Sequence, residues 1–495
     1  MLRAHCSAPE LGLSAILVNR FSLQVTGPRC AQCALLAVLL TSLASTSGRA
    51  GESAAPTEVP LVQFLQRAAT DNPYLAAGRI DIRAAQAGQD AVTGYRYGHI
   101  WGQMVTGPVP GATGQLTGTG KETPTSIPNY GYFFSNLRPY FRAELNVAAP
   151  LWTFGKIDAG AKAAGEQVEV KKAQSLEQTW EILTQIKSLY YGWILTEELD
   201  VLNDEIQGHL DEAGRYLEKH LTAGDADLTP IDRLKLKAYA AELETQRIEV
   251  KKRRQIAVDG LWRLTGLKAD EQWRPAEHKL TQVGAAIDDN AAMMSLALSN
   301  QPEVSEVMHG VQALEAKRHY NLTRFFPELF IVATGAYAVA PNRDRQTNAF
   351  ANDSFNYLYA TATLGVNFDL QPGVASSELT QSDEELAALR EKSLAVTSRV
   401  AHDVEAALAE VLADRDKVEV GKQAFQTTRA WSAYVMDAFD LGSITARELI
   451  DGLTAFVKAR FMLLQDIYDY NIAVAQLSRT VGVELQPELK AAQAH

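Results

Sequence analysis

The feature that most constrains this chain is that it repeats itself. The stretch "ADLTPIDRLKLKAYAAEL" (Ala226–Leu243) and the stretch "LGSITARELIDGLTAFVKAR" (Leu441–Arg460) each place a threonine before an amphipathic run, with an acidic residue three positions on. Thr229 and Thr445 are 216 positions apart, and so are Asp232 and Glu448. The ends of the two runs match at the same offset: "QIAVDGLWRLTG" (Gln255–Gly266) aligns with "NIAVAQLSRTVG" (Asn471–Gly482). Further upstream, "AATDNPYL" around Pro73 pairs with "ALSNQPEV" around Pro302, each proline suited to the first turn of a helix, where its missing N–H costs nothing. A chain of 495 residues that duplicates its helix starts and its helix ends is built from two copies of one unit.

Each copy has the same order of patterns. A helix is expected from about Leu61 to Ala91, with a counterpart from about Glu303 to Thr323. Strands follow. In "PYFRAELNVA" Phe141, Ala143, Leu145 and Val147 alternate with Arg142, Glu144 and Asn146. In "YLYATATLGVNF" Leu358, Ala360, Ala362, Leu364 and Val366 alternate with Tyr359, Thr361, Thr363, Gly365 and Asn367. Alternation over ten or so positions fits a tilted membrane-spanning strand, while a soluble hairpin with one buried face is the competing reading. Partner strands near Tyr95–Thr106 and Pro327–Ala340 alternate less cleanly. Polar Gly-, Pro- and Asn-rich segments bordered by aromatics lie between the strands, as in the outer loops and girdle of an outer-membrane barrel. Two hairpins supply four strands, too few to close around a lumen, so several copies must share a barrel.

After each hairpin the pattern turns helical and stays so, from Gly155 to about Leu221 and from about Ser376 to Asp440. Each run would be roughly 100 Å long at 1.5 Å per residue. Leu195, Leu199, Leu202, Ile206, Leu210, Ala213 and Leu217 have the 3-4 spacing of a coiled-coil seam. Each long helix reverses near a glycine, Gly224 or Gly442, and returns as a shorter one.

Composition narrows the function. A net charge of −12 with no basic clustering argues against a nucleic-acid partner. "CALLAVLLTSLA" (Cys33–Ala44), preceded by Arg29 and followed by small residues, has the form of a secretory signal, so residues 1–50 are expected to be a leader. All three cysteines (Cys6, Cys30, Cys33) fall within it. No H-E-x-x-H, G-x-S-x-G, Walker or dinucleotide motif is present, so neither catalytic residues nor a cofactor or metal is expected.

The quoted stretches, with "DNPYL", "APLWTFGKID" (Ala149–Asp158) and "YDYNIAVAQLSRTVG" (Tyr468–Gly482), resemble the outer membrane efflux protein (TolC) family over roughly residues 60–482. The family's strand-to-helix junction resembles Pro150, Leu151, Trp152 and Gly155; in the second copy "DLQPGV" (Asp369–Val374) departs from it. The resemblance implies a mainly α fold with a small β part. Duplicated long helical hairpins and four transmembrane strands per chain would form a homotrimer, with a twelve-stranded barrel continued by a twelve-helix periplasmic tunnel. The expected organisation is a first repeat over 51–266 (β-hairpin about 95–149, helical hairpin about 155–266) and a connecting, equatorial segment over 267–290. A second repeat follows over 291–482 (β-hairpin about 327–369, helical hairpin about 374–482), then a tail over 483–495. The implied function is a passive exit duct in the outer membrane of a Gram-negative bacterium, for an efflux pump or a type I secretion system. Its partners would be outer-membrane lipid, a periplasmic adaptor (membrane fusion) protein and an inner-membrane pump. A non-conducting trimeric coiled-coil adhesin is the alternative. The turns at Gly224, Leu441, Gly442 and Ser443 would dock the adaptor. The first turn is two residues longer than its twin (Gly224 to Asp232 against Gly442 to Glu448), which weakens transfer of contact details. In the family, acids matching Asp232, Glu448 and Asp451 constrict the periplasmic mouth; acids near helix N-termini can equally serve the helix dipole.

Overall fold

The computed structural model describes residues 57–111, 137–223, 230–266, 273–287, 289–345, 353–441 and 443–493. The expected leader, Gly224 and Gly442 lie outside them, as do parts of the loops between the strands and of the connecting segment. Pro60 precedes α1 (Leu61–Asp71), and Asn72 separates it from α2 (Pro73–Gly94). The single helix expected over 61–91 is therefore two. The physical reason is Pro73, which lacks the N–H for a continuous ladder and drives Asn72 into extended backbone (φ −67°, ψ 124°). The Asn72 side chain restarts the helix by accepting from the N–H groups of Tyr74 (2.8 Å) and Leu75 (3.3 Å). The second copy solves the problem the same way. α5 (Asn290–Asn300) and α6 (Pro302–Thr323) are separated by Gln301 at φ −70° and ψ 124°, whose side chain accepts from the Val304 N–H.

The lengths of the remaining elements repeat as well. α3 (Lys156–Ala223) and α7 (Pro372–Asp440) have 68 and 69 residues, and α4 (Pro230–Thr265) and α8 (Ala446–Val481) have 36 each. α4 and α8 both end on a left-handed glycine, Gly266 (φ 65°) and Gly482 (φ 72°). A Cβ at Gly482 would strike the end of the preceding short helix at Asn300, and one at Gly266 would crowd it at Asp71. Equivalent glycines thus allow equivalent close approaches, and the duplication is one of packing as well as of sequence.

One four-stranded sheet in the order β2-β3-β5-β6 joins the copies: β2 (His99–Pro110), β3 (Leu137–Trp152), β5 (Glu328–Val339) and β6 (Tyr357–Asn367), all antiparallel. β3 and β5 are central; β2 and β6 are the edges, each paired on one side only among the described residues. The connecting segment, which shows no periodicity, contains a three-residue strand, β4 (Trp273–Pro275), paired in parallel with β1 (Thr57–Val59).

The main core lies midway along the long helices. The middle of α3 (Ile186, Tyr190, Ile194, Leu202), the end of α4 (Leu261), the middle of α7 (Val404, Val411) and the end of α8 (Val474, Leu477) meet there. α1, α5, the connecting segment and the tail residues Leu485 and Leu489 wrap this level. Within it, Lys187 and Glu484 form a buried ion pair at 2.6 Å, each side chain 2% exposed. Burial draws the lysine below its usual range, although the facing carboxylate works against that shift. Glu484 also accepts the Gln486 N–H, so the pair fastens the residues after α8 onto α3.

Two predictions follow from these contacts. Lys187→Met leaves a buried, unpaired carboxylate and should cost about 3–5 kcal/mol, while Lys187→Met with Glu484→Met should recover most of it. Equal melting temperatures for the single and double variants would contradict this. Gly482→Ala should cost at least about 1–2 kcal/mol for the left-handed backbone alone, because its Cβ would also lie 2.6 Å from the Asn300 carbonyl oxygen. Gly284→Ala, which meets nothing within 4 Å, is the control for the same thermal melt.

Candidate functional site

The strand register sorts the sheet into two faces. Cross-strand partners share a face, so the row Ile100, Val147, Ala333, Ala362 is one layer, and Gly102, Leu145, Gly335, Ala360 is the next. Met104, Ala143, Tyr337 and Leu358 continue that face, and Ala149, Ile331 and Leu364 extend it towards the helices. It is apolar throughout, yet Met104, Leu145, Leu358 and Leu364 are each more than half exposed. A sheet face of this kind needs an apolar partner outside the chain.

The opposite face is polar. Its layers are Trp101, Asn146, Thr334 and Thr361; then Gln103, Glu144, Ala336 and Tyr359; then Val105, Arg142, Ala338 and Tyr357. The Arg142 guanidinium donates to Glu144, Asn146 Nδ2 donates to Glu144 (3.1 Å), and Thr334 Oγ1 donates to Asn146 Oδ1 (2.8 Å). The alternation in β3 and β6 had already separated these sets. In β2 and β5 small and aromatic residues blur it, and the register supplies what the pattern lacks. At the far rim a buried Arg343–Asp353 pair (2.9 Å) ties the turn after β5 together, and Arg343 Nε also donates to the Pro110 carbonyl of the first hairpin (3.3 Å).

At the other end of the sheet, Pro150, Leu151 and Trp152 are still within β3, and the change to helix falls at Phe154 and Gly155. Both have positive φ, 51° and 86°, so Gly155 is where the turn requires freedom from a Cβ. Phe154 stacks on Phe326 at 5.4 Å and Lys156 bonds Glu328 at 2.6 Å, joining the junction to the start of β5. In the second copy, Pro372 is the first residue of α7.

The helical tips hold the remaining candidates. Leu441 is 83% exposed. Ser443 closes α7, its N–H (2.9 Å) and Oγ (2.8 Å) both bonding the Ala438 carbonyl. Thr445 and Glu448 form a reciprocal capping box at the start of α8, with Glu448 accepting the Thr445 N–H at 2.9 Å. Glu448 therefore has a structural task, but it remains exposed, as does Asp451 one turn on. Asp232 lies in the first turn of α4. A contact that the sequence does not advertise is Gly452, where a Cβ would come within 2.6 Å of Val435; only a glycine lets α7 and α8 approach so closely beside these acids. Among the described residues, no group of three or more His, Cys, Asp or Glu is placed to hold a metal, and no helix is long and apolar enough to cross a membrane.

Residues 293–483, from α5 through α8, match the family described as outer membrane efflux protein. No protein of curated function matches the chain. Its fold is similar to that of the outer-membrane channel OprN, at 14% identity and a TM-score of 0.69, covering 86% of this chain and 91% of that one. It is likewise similar to the CmeC outer membrane channel of Campylobacter jejuni (11% identity, TM-score 0.67, 86% of each chain). The open state of the Neisseria gonorrhoeae MtrE outer membrane channel gives 12% identity and a TM-score of 0.68, over 86% of this chain and 89% of that one. At these identities the likeness is one of fold. An exposed apolar face opposite a polar one is the arrangement of a sheet that spans a membrane.

The register gives a paired test. Leu364→Arg puts a charge on the apolar face and should destabilise the assembled protein by about 2–4 kcal/mol if near the bilayer midplane. Thr363→Arg points to the polar face and should be tolerated. Equal yields of folded, heat-modifiable protein from both variants would mean that the faces are assigned wrongly.

Proposed function

We propose that this protein is the outer-membrane exit duct of a tripartite pump or type I secretion system, built from three copies. The observation that carries this reading is the four-stranded sheet with one apolar face, one polar face and two open edges, continuous with helical hairpins roughly 100 Å long. Open edges cannot stay unpaired in lipid. Pairing β2 of one copy with β6 of the next satisfies both, and three copies supply the strands for a barrel wide enough to hold a lumen. The Arg142–Glu144–Asn146 face then lines that lumen, and the hairpins continue it into the periplasm. Transport through such a duct is passive; the pump supplies the energy. An adhesin reading accounts for the long helices but gives the polar sheet face no purpose.

On this reading the exposed residues Leu441 and Ser443, with Gly442 and the counterpart near Gly224, meet the periplasmic adaptor. Asp232, Glu448 and Asp451 ring the periplasmic mouth. Glu448 and Asp451 stand three residues apart on one helix face, so threefold symmetry turns each into a ring of charge. Hydrogen bonding in the capping box does not remove the charge of Glu448. A narrow mouth lined this way favours cations and binds multivalent ones, because field lines there are screened less than on an open surface.

Planar-bilayer recording at low salt tests the assignment. Asp451→Asn with Glu448→Gln should lower cation selectivity and relieve block by a trivalent cation. Because Gln can still close the capping box, the variant should keep its fold. Unchanged selectivity and block would leave both residues as helix-start groups only.

A further inference from the structure

α4 carries two heptad series, and only one of them is used within the chain. Leu236, Leu243, Val250 and Ala257 recur every seven residues and are buried. Two positions before the first three of these stand Leu234, Ala241 and Ile248, also seven apart, and all three are exposed. At 3.6 residues per turn, that shift puts the second series on the opposite side of the helix. Ile231, Ala238 and Thr245 interleave with it to complete a 3-4 seam that has no partner among the described residues. α7 shows the same doubling. Val404, Val411 and Val418 are buried, while Val420, Thr427 and Tyr434 repeat every seven residues on the other side and are exposed. The Thr245 and Thr427 hydroxyls each donate to a carbonyl of their own helix at 2.9 Å, so neither needs a polar partner across the seam. In this half of the molecule α3 packs on α4 and α8, and α8 packs on α3 and α7. α4 and α7 are thus the outside helices, as β2 and β6 are the outside strands.

An unpaired heptad seam calls for a helix, and the two outside seams fit one another. α3 and α7 have 68 and 69 residues, so the two hairpin tips lie at equal depth. Counted from its start at the tip, α4 presents Leu234, Ala241 and Ile248 after 4, 11 and 18 residues. Counted back from its end, α7 presents Tyr434, Thr427 and Val420 after 6, 13 and 20. The two series are antiparallel and stay in step, about 3 Å out at 1.5 Å per residue. In that register the bulky Trp431 falls beside the small Ala238 and Ala241, as a knob falls into a hole. Four residues further from the tips, Lys252 opposes Asp416. The wider charge balance agrees. Acids outnumber bases 59 to 47 in the whole chain, yet α4 has nine Lys and Arg against five Asp and Glu. The last 36 residues of α7 have four against seven.

We propose that α4 of each copy forms an antiparallel coiled coil with α7 of a second copy, in the register that sets Leu234, Ala241 and Ile248 against Tyr434, Thr427 and Val420. The seam rests on the three-copy reading and extends it from the sheet edges to named faces of the helical hairpins. An unrelated partner is under no constraint to match the spacing, the side-chain sizes and the charge of α7; a second copy brings all three.

Disulfide trapping in the detergent-extracted protein tests the register. Cys6, Cys30 and Cys33 are first changed to serine, so that only introduced thiols can pair. Two variants carry thiols in register: Ala241→Cys with Thr427→Cys, and Ile248→Cys with Val420→Cys; having both covers the case in which one fails to fold. After mild oxidation each should give covalent dimers and trimers on a non-reducing gel, reversed by reductant. Ala241→Cys with Tyr434→Cys is displaced by about 10 Å, beyond the reach of a disulfide, and should stay monomeric on the gel, as should each single variant. Native mass spectrometry of the same samples separates the outcomes. Trimers without a covalent ladder from either in-register pair would overturn the seam and leave the duct reading standing. Disulfides closed within one chain would do the same, as would a displaced pair that links as well as those in register. In cells, links from these thiols to a protein of different mass and not to a second copy would assign the two faces to the adaptor and overturn the proposal. Absence of a trimer from the unsubstituted chain would overturn the duct reading and the seam with it.

Discussion

A backbone hydrogen-bond donor or acceptor has no partner in hydrocarbon except another piece of protein. The β2 and β6 edges and the apolar face of the sheet are jointly subject to that condition. In the proposed duct the apolar face lies against lipid, lipid forbids open edges, and four strands cannot close on themselves. Assembly is therefore a precondition of the membrane-bound state. The helical part inherits its geometry from this, since each hairpin of strands feeds one long helix at a fixed junction. Gly155 and Pro372 set the angle at which strand becomes helix.

The duplication explains how one chain meets such demands at modest cost in sequence. The same devices recur in both copies: a side-chain cap before proline, a left-handed glycine closing the returning helix, and a close approach of that glycine to the preceding short helix. Two further devices sit near the α7–α8 tip. α8 opens on a full capping box. Gly452 of α8 admits Val435, whereas the residue 216 positions before Gly452 in the first hairpin is Leu236 of α4.

Much of this was legible in the sequence because it is periodic. The Leu195–Leu217 seam and the alternation in β3 and β6 repeat at the period of the element that they build, and each repeat adds signal. What was not legible depends on partners far away in the chain. The three-residue pairing of Thr57–Val59 with Trp273–Pro275 has no room for a period. The Lys187–Glu484 pair joins residues 297 positions apart that look solvent-exposed when read singly. The break at Asn72 was only half legible: Pro73 marks a helix start, but the apolar pattern runs through it.

The central claim is that the sheet is one share of a common barrel. Native mass spectrometry of the detergent-extracted protein, with single-channel conductance recorded on the same fraction, addresses it directly. The account predicts a complex of three chains that conducts, and no conductance from dissociated chains. A single chain that remains monodisperse in detergent and conducts would contradict it.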